Sequence, residues 1–116
     1  MNETKEGVAV EALRKALDGK FGQDIVVMDL RGLTTIADYF VIVTGTSQPQ
    51  MAALADTAEE TLSAHGLQMS HAEGVNTGNW VLLDFGSVIV HLFDKESRPF
   101  YNLERVWGDA RAAGKE

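Results

Sequence analysis

The sequence predicts an α/β domain, a mixed five-stranded sheet with helices packed on it. Three observations predict it. Apolar residues recur at three- and four-residue steps over residues 6–18 and again from Met51 to His65, the period of a helix with one buried face. Short runs rich in β-branched and aromatic residues alternate with them, bounded by Gly, Pro, Asn and Asp. The lengths of the links then fix which neighbouring strands can be parallel.

The first helix spans residues 6–18, with Val10, Leu13, Leu17 and, just beyond, Phe21 on one stripe. Asp18-Gly19 is its expected stop, the glycine supplying the left-handed conformation. Asp24–Leu30 follows as a strand whose centre is apolar on both faces, as in a covered sheet. Residues 31–38 link it to a second such strand, Tyr39–Thr44. That link is shorter than the ~10–12 residues of a helical crossover, so the two strands are expected to be antiparallel.

Gly45-Thr46-Ser47-Gln48-Pro49-Gln50 opens the second helix. Ser47 with Gln50 three residues on is a capping-box pattern, and Pro49 is tolerated in the first turn. Met51, Leu54, Ala55, Ala58, Leu62 and His65 form its apolar stripe, and Gly66 with Leu67 ends it. A third strand over Gln68–Glu73 is expected to run parallel to the second, because a helix intervenes.

Asn79–Phe93 reads as two strands joined by a turn at Phe85-Gly86-Ser87. In the first of them Trp80, Leu82 and Asp84 point one way and Val81, Leu83 and Phe85 the other. A core excludes an unpaired carboxylate, whereas a docking surface can use an aromatic, an aliphatic and an acid together. The face of Trp80, Leu82 and Asp84 is therefore the candidate working surface. Arg98-Pro99 breaks the chain, and Phe100–Trp107 makes a last short helix. Residues 1–107 are read as one domain and 108–116 as a flexible tail.

Composition narrows the function classes. The chain has 116 residues, 45% of them hydrophobic, with no run near the ~20 apolar residues of a membrane helix. Its polar, acid-bearing N-terminus does not resemble a secretory signal. It has no cysteine, which removes disulfides, thiol nucleophiles and Cys-ligated zinc, and fits a cytoplasmic protein. A net charge of −7 opposes broad nucleic-acid binding and suits a basic protein partner, although charge also serves plain solubility.

The enzymatic alternatives are thin. Gly45-Thr46-Ser47 lies at a strand-to-helix junction, where backbone N–H groups can bind an anion, and a Gly-Ser there also opens nucleotidyltransferase sites. That chemistry needs paired carboxylates for magnesium, typically Asp-x-Asp on a strand next to the junction, and no Asp-x-Asp occurs in the sequence. Helix capping is the simpler use of the junction. His65, His71 and His91 lack zinc spacing, and His91, between Val90 and Leu92, reads as a core histidine hydrogen-bonded to a neighbour. No residue is assigned a catalytic, cofactor-binding or metal-binding role.

At these residues a larger pattern appears. Asp24–Asp29, Ala37–Ser47, Glu73-Gly74, Trp80–His91 and Arg98–Trp107 together resemble the ribosomal silencing factor family (RsfS, the Iojap-like proteins) in order and spacing. Ser87 stands where that family usually has an acid after the hairpin glycine. The resemblance implies a fold related to nucleotidyltransferases without their activity. It also implies binding to a basic protein, numbered fourteen, on the joining face of the large ribosomal subunit. The bound factor then blocks pairing with the small subunit and represses translation under nutrient limitation. Homodimers are common in the family, and no membrane is involved. The family's binding surface maps onto Trp80, Asp84 and Tyr101. Leu82 joins it by strand alternation, and Glu73 joins Asp84 in facing Arg or Lys of the partner. Two rivals stand beside this: a nucleotide-binding enzyme using Gly45-Thr46-Ser47, and local contact of Lys95, Arg98 or Arg105 with ribosomal RNA.

Overall fold

A computed structural model of the chain describes residues 4–74, 80–95 and 111–112. Helix α1 is Lys5–Gly19 and α2 is Gln48–Ala64. The strands are β1 Gln23–Asp29, β2 Tyr39–Gly45, β3 His71–Glu73, β4 Trp80–Asp84, β5 Val88–Asp94 and β6 Arg111–Ala112. The last predicted helix, Phe100–Trp107, lies outside the described residues. No helix among the described residues is long and apolar enough to cross a membrane.

Local chemistry sets the helix ends. Thr4 caps α1, its hydroxyl accepting from the Gly7 N–H at 3.0 Å. Ser47 caps α2 by accepting from the Gln50 N–H at 3.2 Å. The Gln50 carboxamide reaches back, as a capping box would, but to the Thr46 N–H at 2.6 Å rather than to the cap residue itself. Its other end donates to the carbonyls of Lys20 and Phe21, tying the start of α2 to the end of α1. At the far end of α2, Leu67 N–H bonds to Leu62 O and Gly66 N–H to Ser63 O, with Gly66 at φ 85°. This is a Schellman stop, closed by burial of Leu62 and Leu67 in one cluster.

The stop of α1 differs from expectation. Gly22 N–H bonds to Leu17 O and Phe21 N–H to Asp18 O, so the left-handed residue is Phe21 (φ 66°), not Gly19. The glycine falls one position later for a steric reason. A Cβ on Gly22 would lie 2.6 Å from Val43 Cγ2 and 3.1 Å from Leu17 O. Phe21 thereby leaves the predicted stripe and stands 80% exposed.

The sheet order is β3-β4-β5-β2-β1-β6. β1 and β2 are antiparallel, as the short link requires, with Val27 opposite Val41. β3 runs in the direction of β2, but β4 and β5 lie between them, and the parallel partner of β2 is β5. The five predicted strands are all present. β6 adds a two-residue antiparallel bridge to Met28 and Asp29, from within the segment read as a tail.

Each face of the sheet has its own core. Ala9, Val10, Leu13 and Leu17 of α1 and Met51, Leu54, Ala58 and Leu62 of α2 pack with Val27, Val41, Val43, Val81, Leu83, Val90 and Leu92. On the other face Met28, Phe40, Ile42, Ile89 and Phe93 cluster with partly buried Val26, Trp80 and Leu82. The alternation predicted for β4 therefore holds: Val81 and Leu83 join the helix-side core, and Trp80 and Leu82 the opposite one.

Candidate functional site

The face opposite the helices is built from the β4–β5 hairpin outward. Its turn, residues 85–87, has Gly86 at φ 83°, a conformation that favours glycine. Phe85 N–H closes the turn on Val88 O at 2.9 Å, and Asp84 Oδ1 accepts from Gly86 N–H at 2.8 Å. This fixes the register: Trp80 stands opposite Phe93, Leu82 opposite His91 and Asp84 opposite Ile89. β3 then docks on β4 with Glu73 opposite Leu82 and His71 opposite Asp84. Directly opposed residues share a face. Trp80, Leu82, Asp84 and Glu73 are thus brought to one side of the sheet, and His71 with them. Tyr101 lies outside the described residues.

The face grades from apolar to charged. Trp80 is half-buried, its ring stacked on Phe93 with centroids 5.4 Å apart. Its Nε1–H donates to His91 Nδ1 at 3.1 Å. Leu82, also half-buried, lies between this aromatic group and the sheet edge. Asp84 is partly exposed, with one carboxylate oxygen engaged in the turn. Glu73 is exposed and 2.7 Å from His71 Nε2. An aromatic anchor beside an aliphatic patch, bordered by carboxylates, suits a partner surface with an apolar pocket flanked by Arg or Lys.

Beneath the indole lies a group that the sequence placed in the core without linking it to the site. His91 is 4% exposed, and burial pushes its pKa down to about 4. Its ring meets Phe40 edge-on at 4.7 Å and lies nearly parallel to Phe93 at 6.4 Å. The expected hydrogen bond to a neighbour is present, and the donor is Trp80. Spacing could have signalled this. Residues diagonal across an antiparallel pair come within reach of long aromatic side chains, but only once the hairpin register is known.

The Gly45-Thr46-Ser47 junction is filled by the protein's own groups. The Gln50 carboxamide oxygen accepts from both the N–H and the hydroxyl of Thr46, and Ser47 takes the Gln50 N–H. Gly45 is there for packing, since a Cβ would meet Met51 Sδ at 2.8 Å. Buried Asp29 is committed to Arg31, accepting from its Nε at 2.9 Å and its Nη2 at 2.6 Å.

Over residues 2–116 the chain matches the protein family described as "Ribosomal silencing factor during starvation". It is 42% identical over 98 residues to Ribosomal silencing factor RsfS of Bacillus subtilis, covering 84% of this chain and 83% of that one. With the RsfS protein of Haemophilus influenzae it shares 41% identity over 98 residues, 84% of this chain and 96% of that one. A crystal structure of a protein from Chromobacterium violaceum superposes with a TM-score of 0.82 at 33% identity, over 92% of this chain and 88% of that one.

Proposed function

The chain belongs to the ribosomal silencing factor family, and from that premise we propose that it docks on the large ribosomal subunit through the sheet face of Trp80, Leu82, Asp84 and Glu73. The partner is the basic protein numbered fourteen on the joining face of that subunit. The bound domain occupies space the small subunit needs, so the subunits do not pair and translation is held down when nutrients are scarce. The action is steric, takes place in the cytoplasm, and makes or breaks no bond.

One observation carries this reading. The register of three strands gathers a half-buried indole, an aliphatic side chain and two carboxylates on one surface. In a chain of net charge −7, that surface complements a basic protein. Tyr101 belongs to the same proposal through the family resemblance alone. So does a homodimer, which equilibrium sedimentation of the free protein checks.

The test is co-sedimentation with purified large subunits, beside Trp80→Ala and a parallel titration of the isolated basic protein. Saturable binding to both targets, lost in the variant, is the expected result. Wild-type affinity of Trp80→Ala for the subunit contradicts the assignment of this face. Calorimetry with ATP and magnesium completes the test, since nucleotide turnover would replace the steric reading with an enzymatic one.

A further inference from the structure

We propose that His91 is a positioning residue for Trp80: by accepting the indole N–H it holds the ring in the single orientation presented to the partner. The inference rests on the partner-binding reading above and adds to it a residue that itself faces the core.

The geometry of the aromatic group carries the argument. Stacking on Phe93 at 5.4 Å and 27° sets the plane of the indole. Stacking alone does not decide which edge of the ring points toward the hairpin and which toward a partner. The torsion that turns an aromatic ring is broad and roughly two-fold. The 3.1 Å bond from Trp80 Nε1 to His91 Nδ1 breaks that degeneracy, because a ring turned over would offer a C–H in place of the donor. His91 is held in turn by Phe40, whose ring meets it edge-on at 4.7 Å, and by nearly parallel Phe93.

A second observation points the same way. Nδ1 accepts, so the neutral imidazole carries its proton on Nε2. Nε2 is buried and has no hydrogen-bond partner among the described residues. A buried donor left unpaired disfavours folding, and an aliphatic residue at this position would avoid it. The residues directly opposite His91 on its two neighbouring strands are aliphatic, Leu82 and Ile42. The imidazole therefore serves something other than packing, and the acceptor it offers to Trp80 is that service. Burial keeps the ring neutral at physiological pH, the state in which Nδ1 can accept.

The test uses three substitutions at this position. Asparagine places a carbonyl oxygen close to where Nδ1 lies, glutamine places one nearer Nε2, and phenylalanine keeps the ring without an acceptor. Affinity for purified large subunits is measured together with hydrogen exchange of the Trp80 indole N–H by NMR, assigned with Trp107→Phe. We expect His91→Asn to bind within about twofold of wild type, and His91→Phe and His91→Gln to weaken binding about tenfold with faster indole exchange, the scale of one lost hydrogen bond. Should His91→Phe fail to fold, the contrast between Asn and Gln decides. Equal, wild-type binding by these variants while Trp80→Ala loses it overturns the positioning role and leaves the docking face standing. Wild-type binding by Trp80→Ala overturns both.

Discussion

Trp80 and Phe93 face each other directly across the β4–β5 pair, their rings stacked at 5.4 Å. Trp80 is thus supported from inside the domain while remaining half-exposed. A rigid aromatic of this kind loses little conformational freedom on docking, which is why such residues dominate binding energy at interfaces.

Trp80→Ala is expected to weaken large-subunit binding by about 30- to 1000-fold, the range of ~2–4 kcal/mol for an aromatic anchor. The same change removes part of the packing on Phe93 and should lower stability by about 1–3 kcal/mol, short of unfolding the domain. Titration of subunits by fluorescence anisotropy gives the first quantity and urea denaturation the second.

Asp84 accepts the Gly86 N–H in the turn and, in the proposed docking, faces the partner, and the two uses can be separated. Asp84→Asn keeps an oxygen for the Gly86 N–H but removes the charge. It should leave the urea midpoint unchanged, reduce affinity a few-fold, and flatten its dependence on salt. Asp84→Ala should also destabilise, by about 1 kcal/mol, through the lost turn bond. Unchanged salt dependence in Asp84→Asn would remove this carboxylate from the interface.

Burial holds the folded-state pKa of His91 at about 4, against about 6.5 for a free imidazole. Between those values the unfolded chain binds a proton that the folded chain does not. The contribution of His91 is therefore complete above pH 6.5 and is lost as pH falls toward 4, by about 3 kcal/mol in all. Carboxylates titrate in the same range, so the informative quantity is wild type minus His91→Phe. That difference should move against wild type on acidification over this window, and a constant difference would place His91 outside the buried aromatic group.

The end of α1 yields a pair of opposed predictions. Phe21 is left-handed and exposed, so Phe21→Gly relieves backbone strain with little lost burial and should stabilise by about 0.5–1 kcal/mol. Gly22→Ala drives a Cβ into Val43 and should destabilise by about 1–3 kcal/mol. Thermal denaturation of the two variants measures both signs.

These residues also show what the sequence could convey. Signals confined to a few positions were legible. Ser47 with Gln50 marked a helix start, Gly66 with Leu67 marked a stop, and Gly86 marked a turn. The alternation that put Trp80 and Leu82 on one face needed only the period of a strand. Features set by distant packing were not legible. Gly19 looked like the α1 stop because nothing in sequence reveals that position 22 must clear Val43. The choice of β5 over β3 as parallel partner of β2 depends on the whole sheet, and no neighbouring residue encodes it. The bond from Trp80 to His91 lay between the two: both residues were conspicuous, but their meeting depends on hairpin register.

The most direct measurement of the central claim is a gradient sedimentation of purified small and large subunits at an ionic strength that favours pairing, with and without a saturating excess of the protein. The account predicts that the protein leaves the subunits as separate peaks and travels with the large one, and that Trp80→Ala restores the joined particle. Full formation of joined particles in the presence of saturating wild-type protein would contradict it.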